Sequence, residues 1–349
     1  MSYVQQTIAS LGDVNATAPS PEIIELAAQG YQNIQTALQK KIIGMEQVIE
    51  QLLIAIFSGN HALLIGVPGL AKTLLIRSVA ELLDLKFSRI QFTPDLMPSD
   101  ITGTEVLVYD EATQSREFTF LPGPLFGHII LADEINRTPP KTQSALLEAM
   151  EEKTVTALGK KFSLELPFLV LATQNPIEQE GTYPLPVAQL DRFMFNILVN
   201  YPSRAQEHRI MRTSLSLDFV PSKPILSRDQ LLQIIAASRK IVLSDAILDY
   251  AVKLCRMARP QCQEAPHFVR QLIAYGPSPR ALQNLIIAAK TRAMLQGRTE
   301  VIAQDIQEVA PAVLRHRILL HYRAEAENLT PDAMLQRLIE FASHIPRRK

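Results

Sequence analysis

Two residue pairs in this chain are of types that act on phosphate. Lys72-Thr73 closes the stretch GVPGLAKT at 66–73. The stretch fits the pattern G-x-x-x-x-G-K-[ST], with Ala71 where the second glycine is expected. Such a loop winds around a phosphate so that several backbone N–H groups point inward. A lysine then adds a point charge to the β/γ-phosphates, and a hydroxyl coordinates Mg²⁺; Lys72 and Thr73 supply these. Gly66, Pro68, Gly69, Leu70, Ala71 and Leu74 complete the expected nucleotide contacts. Alanine is small enough for the helix entry if its φ is helical, so the loop is expected to work. The second pair, Asp133-Glu134, ends the apolar run HIILADE (128–134). An acid at the end of a neighbouring strand can hold Mg²⁺, and a second acid beside it can deprotonate an attacking water. Together the pairs imply nucleoside triphosphate binding and hydrolysis, with Asp133 and Thr73 toward the metal and Glu134 as base.

Strands and helices must bring these pairs together. HALLIG (61–66), FSRIQFT (87–93), HIILADE and FLVLATQN (168–175) are strand candidates, and the last two are apolar enough to be buried on both faces. Helical patterns fill the intervals, among them AKTLLIRSVAELLDL and KTQSALLEAMEE (141–152). Strands alternating with helices imply an α/β domain with a mostly parallel sheet. EVLVYDEATQSREFTFLP and KTVTALGKKFSLELPF alternate like inserted hairpins. After Tyr201-Pro202 the strand signals stop and the pattern is helix after helix. The expected organisation is an arm over 1–20, an ATP-binding core over 21–203, a linker over 204–225 and an all-helical domain over 226–349.

Composition narrows the class. The 349 residues are 47% apolar and 20% charged, with 35 basic and 35 acidic side chains. No apolar run is long enough to span a membrane, and the first residues lack the order of a secretory signal. Two cysteines, Cys255 and Cys262, cannot build a disulfide framework or a four-ligand zinc site, so a cytoplasmic location is expected. The neutral balance argues against a dedicated nucleic-acid binder. It hides a gradient, however. Residues 1–203 carry 13 basic and 22 acidic side chains, and residues 204–349 carry 22 and 13. Such a gradient can mean a basic partner-binding region, two solvated charge sets that balance by accident, or complementary surfaces that favour head-to-tail contact between copies and an assembly that weakens with salt.

The chain resembles the AAA+ ATPases, and within them the MoxR group, on the residues GVPGLAKT, LPGPLFGHIILADEINRTPPKTQSALLEAMEE and ATQNPIEQEGTYPLPVAQLDRFMF. That resemblance implies a P-loop AAA+ core followed by a helical lid, with the hairpins as the helix-2 insert and the pre-sensor-1 hairpin. By the same likeness Asn175 would be sensor 1 and Arg192, in LDRF, the arginine finger reaching a neighbour's nucleotide. Arg280, in PSPR, would be sensor 2, and Ile42, Ile43 and Gly44 would line the adenine pocket. ATP and Mg²⁺ would be the cofactors, and a hexameric ring of copies the assembly. The partners would be client proteins, often with von Willebrand A domains and metal cofactors.

Each assignment has a rival among the same residues. Asn175 could cap a strand-end turn, and Arg280 could be a solvated first-turn residue. Arg192 could pair within its own domain with Asp191 or Glu178, and Arg137 competes with it as the trans-acting arginine. Val187 stands where relatives commonly carry an acid, which touches the subunit contact. His316 and His321 in RHRILLHYR read as solvated helix histidines, because a five-residue spacing does not stack them on one face. Cys255 and Cys262 read as packed small hydrophobes. The leading expectation is an ATP-driven, ring-forming remodelling or maturation factor. The alternatives are a nucleotide-gated scaffold with incidental turnover and a nucleic-acid-stimulated motor.

Overall fold

The computed structural model describes residues 18–110, 115–157, 159–177, 181–214 and 223–344. Most of the expected N-terminal arm, much of the linker, and Glu178 lie outside the described residues. The chain begins with helices α1 (Pro21–Lys41) and α2 (Glu46–Phe57), then strand β1 (Ala62–Ile65) and helix α3 (Lys72–Leu82). Strand β2 (Phe87–Gln91), the short helix α4 (Pro98–Thr102) and the hairpin β3 (Gly103–Asp110) and β4 (Ser115–Pro122) follow. Next come β5 (Ile129–Asp133), α5 (Pro140–Glu152) and a second hairpin, β6 (Thr154–Ala157) and β7 (Lys160–Ser163). The core ends with β8 (Leu169–Gln174), α6 (Val187–Leu190) and β9 (Phe195–Leu198).

Five of these strands form one parallel sheet in the order β2-β5-β8-β1-β9. Alternate residues point to opposite faces of a strand, and both faces here are apolar. Ile129, Leu131, Leu169 and Leu171 join one buried cluster; Ile130, Ala132, Val170 and Ala172 join another. Both hairpins stand outside this sheet as separate antiparallel pairs, in the places the alternating pattern predicts.

Beyond the sheet lie α7 (Arg204–Ser214), α8 (Arg228–Ser238), α9 (Asp245–Met257) and α10 (His267–Leu272). The remaining elements are β10 (Ile273–Tyr275), α11 (Pro279–Leu295), α12 (Ala303–Leu314), β11 (Leu319–Leu320), α13 (Tyr322–Ala326) and α14 (Pro331–His344). The range read as a linker thus opens with a helix, α7. The C-terminal part is not purely helical either, because β10 and β11 pair as a small antiparallel ribbon. Segments of two or three residues are too short for periodicity to reveal. The first apolar cluster runs from the sheet through Leu254, Leu285 and Val313, so core and helical part share one interior.

Candidate functional site

All five strands run the same way, so their C-terminal ends gather at one edge of the sheet. That edge collects the loop after β1, Asp133 at the end of β5 with Glu134 just beyond it, and Asn175 after β8. The loop is built for close backbone approach. A Cβ at Gly66 would lie 2.6 Å from the carbonyl oxygen of Val199, so no side chain fits there. Gly69 turns at φ +83° and is exposed with Pro68. Ala71 has φ +51°, a left-handed conformation rather than the helical one anticipated. A side chain at such a position is strained, which is why glycine is the expected residue. Leu70, Thr73 and Leu74 are half-buried around the entry of α3, and Thr73 is its second residue.

Lys72 folds back onto its own loop. Its Nζ donates to the carbonyls of Gly66 and, at 3.1 Å, Val67. Burial holds its pKa below the usual lysine range, opposed by the negative charges of Asp133 and Glu134. A phosphate brought to the loop would add negative charge and further favour the ammonium form.

The two acids are held differently. Asp133 accepts from Thr173 Oγ1 at 2.6 Å and from the Arg89 guanidinium at 2.7 Å. Glu134 sits at φ +58°, with its N–H donating to Thr173 Oγ1 at 2.9 Å. Its carboxylate accepts from Gln91 Nε2 at 2.9 Å and pairs with Arg137 at 3.2 Å. Arg137, the rival trans-acting arginine, thus binds the expected base of its own chain. Sequence reasoning missed Arg89, Gln91 and Thr173. The pairing of β2 with β5 sets Gln91 opposite Asp133, and no local motif announces it.

Thr73 and Asp133 are hard oxygen donors of the kind Mg²⁺ prefers. Among the described residues no cluster of three or more acids, histidines or cysteines could hold a metal alone. Asn175 is buried, and its Oδ1 accepts from the Ile177 N–H at 3.2 Å, the turn-capping bond considered above. Ile42 is buried at the end of α1. Ile43 lines a cleft of about 500 Å³ with Thr36, Gln39, Lys40, Arg209 and Arg212. Gly44 turns at φ +84°, and a Cβ there would lie 2.8 Å from the Gln206 side chain.

Arg192 and Arg280 are brought to each other and not to the phosphate loop. Arg192 donates to Glu151 Oε2 at 2.6 and 2.9 Å, and Arg280 donates to Glu151 Oε1 at 3.2 Å. Among the described residues Glu151, and not Asp191, is thus the carboxylate that Arg192 pairs with in its own chain, and the two arginines hold the Glu151 carboxyl below the usual range, the Arg192 bond most of all. Arg192 precedes β9, and the Met194 N–H donates to the His61 carbonyl at the start of β1. The trio thus lies at the N-terminal edge of the sheet. At about 3.3 Å per residue, β1 alone separates the two edges by roughly 10 Å.

The first residues of RHRILLHYR are no solvated helix face, although Tyr322 and Arg323 at its end are exposed on α13. Residues 315–317 form a 3₁₀ turn, and half-buried His316 has its Nδ1 shut off from solvent and its Nε2 3.1 Å from the Phe193 carbonyl oxygen. Arg317, which is buried, donates to Asp191 Oδ1 at 2.5 Å, to the Asp191 carbonyl at 2.9 Å and to the Phe193 carbonyl at 2.7 Å. Asp191 also accepts from Ser278 Oγ at 3.1 Å, and Ser278 caps the helix that carries Arg280. Val187 is exposed at the start of α6. Cys255 is buried, which pushes its thiol up to about 12, and Cys262 is half-buried.

Known proteins share this architecture. Residues 61–195 match the ATPase family associated with various cellular activities (AAA), and residues 267–338 match the AAA lid domain. The chain is 43% identical over 303 residues to Chaperone MoxR1 of Mycobacterium tuberculosis, covering 87% of this chain and 79% of that one. It is 30% identical to Protein MoxR of Paracoccus denitrificans over 321 residues, covering 86% and 92%. A crystal structure of a protein from Cytophaga hutchinsonii superposes with a TM-score of 0.84 at 41% identity, covering 91% of this chain and 96% of that one.

Proposed function

Because this chain belongs to the MoxR family of AAA ATPases, we propose that it is a ring-forming, ATP-hydrolysing remodelling factor for partner proteins. One observation carries the reading. The phosphate loop with its acids and the Arg192–Arg280 pair stand at opposite edges of one parallel sheet. A single copy holds a loop without those arginines and arginines without a loop. Two copies joined head to tail supply both, which is the heterologous contact that closes into rings.

In this reading the backbone from Gly69 to Leu74 binds the phosphates, with Gly66 and Pro68 shaping the approach. Lys72 leaves the Gly66 and Val67 carbonyls for the β/γ-phosphates, exchanging two neutral acceptors for charged ones. Thr73 and Asp133 would hold Mg²⁺, which neutralises charge developing on the phosphates. Glu134 takes the proton of the attacking water, and Asn175 orients that water without adding charge. Arg192 from the next copy stabilises charge in the transition state. Ile42, Ile43 and Gly44 border the base. The hairpin β3–β4 presents Leu107 and Phe118, paired across the strands and both exposed, as an apolar contact for a client protein. Proteins with von Willebrand A domains are the proposed client class, on the strength of the family likeness. No helix among the described residues is long and apolar enough to cross a membrane.

A second reading has its own support. The strained Ala71 and the Arg89–Asp133 pair both burden turnover, as a nucleotide-gated scaffold would tolerate. Steady-state hydrolysis across protein concentration separates the two. A remodelling ring shows turnover per subunit that climbs as copies assemble and vanishes in Lys72→Ala. Slow turnover independent of concentration, with tight ATP-dependent partner capture, would establish the scaffold instead.

A further inference from the structure

Arg192 and Arg280 converge on one carboxylate, taking separate oxygens of Glu151. Two guanidiniums held this closely repel unless an anion lies between them. The segments that carry them are already fastened together. Asp191, beside Arg192, accepts from Ser278, the cap of Arg280's helix. Buried Arg317 grips Asp191 and the carbonyl of Phe193. The backbones are therefore set by one group of contacts and the two side chains by another, and Glu151 is shared by both side chains. Glu151 is also accessible, with its side chain 46% exposed at the end of α5. An anion from outside can reach the place it occupies.

We propose that Glu151 is a positioning residue that keeps Arg192 and Arg280 as one preassembled, outward-facing pair and yields that pair to the γ-phosphate of a neighbouring copy's ATP. The inference rests on the reading that Arg192 serves the neighbour. A terminal phosphate carries more charge and more acceptor oxygens than one carboxylate, so the exchange favours the phosphate. It replaces one anion by another, and the arginines need no large search for geometry. Without Glu151 the pair splays before the copies meet, and that preorganisation is lost.

The test uses full-length Glu151→Ala and Glu151→Gln, each alone and mixed with Lys72→Ala, whose phosphate loop is disabled but whose arginines are intact. Glu151→Ala alone should lose about tenfold in kcat with KM for ATP changed less than about twofold, since positioning and not nucleotide binding is removed. Mixed with Lys72→Ala, its turnover should exceed the sum of the separate rates, because intact arginines reach its loop from the neighbour. Glu151→Gln keeps the shape and one acceptor, so it should fall less and be rescued in the same way; it serves alone if the alanine variant does not fold. Arg192→Ala in the same mixture is the control. Rescue of Arg192→Ala without rescue of the Glu151 variants overturns the inference about Glu151. Failure to rescue Arg192→Ala overturns the trans reading beneath it. Wild-type kcat in both Glu151 variants also overturns the inference.

Discussion

The side-chain amide of Gln91 donates to Glu134 Oε2 at 2.9 Å, and the guanidinium of Arg137 approaches the same oxygen at 3.2 Å. The carboxylate assigned as base is therefore held in place from β2 on one side and from its own following turn on the other. Glu134→Gln preserves the shape and an acceptor for Gln91 but removes the base. Turnover should fall by about 10²–10⁴-fold, the usual worth of a general base, while ATP still binds. Single-turnover hydrolysis beside nucleotide titration checks this; unchanged turnover would remove Glu134 from the role.

Ala71 offers a test in which the folded state gains. Its left-handed φ of +51° costs an L-residue about 1–2 kcal/mol, and glycine's added chain entropy takes back about 0.5–1. Ala71→Gly should therefore stabilise the protein by roughly 0.5–1 kcal/mol, and Ala71→Val should destabilise it by more. Urea midpoints of the two variants read the difference directly. A lower midpoint for the glycine variant would contradict the strain.

Arg317 joins the helical part to the strand that follows Arg192. Removing its guanidinium takes a donor from the Asp191 carboxylate and from the carbonyls of Asp191, Phe193, Met194 and Val313. Arg317→Ala should cost about 3–5 kcal/mol, the range for breaking a buried ion pair by deleting one partner. Arg317→Lys should recover little, because one ammonium cannot span those acceptors. Chemical unfolding of both variants tests this, and a lysine variant of wild-type stability would refute the bridging role.

Two histidines whose rings are shielded from solvent set an acid limit on stability. Burial holds His316 and His61 well below the ordinary 6.5, assisted by the charges of Arg317 and Lys153 respectively. The unfolded chain takes up protons near pH 6.5 and the folded chain does not. Stability from this source is complete above that pH and is lost as pH falls below it. The slope should be about 1.4 kcal/mol per pH unit for each histidine. His316→Gln should remove one such slope, seen in urea midpoints between about pH 7 and about pH 5.5. A slope unaltered by that substitution would mean His316 titrates freely.

What the sequence made legible is what lies close together in it. The phosphate loop, the paired acids and the strand–helix alternation each occupy one short stretch, so residue type and spacing were enough. Arg89 and Gln91 were hidden because their roles arise from β2 lying beside β5. Glu151 was hidden because its partners are 41 and 129 positions away. The five-residue spacing of His316 and His321 did rule out a shared helical face. It said nothing of burial, which the 3₁₀ turn under Phe193 decides. Ala71's conformation was likewise invisible, since a pattern match does not fix φ.

The separation of the two sheet edges has an arithmetic of its own under the trans reading. An open string of n copies contains n − 1 complete sites, with a bare loop at one end and an unused arginine pair at the other. Closing the string pairs these last two at a single stroke. The final subunit to join therefore contributes two working sites where the first contributed none and each one after it contributed one, so hydrolysis would announce closure by a step.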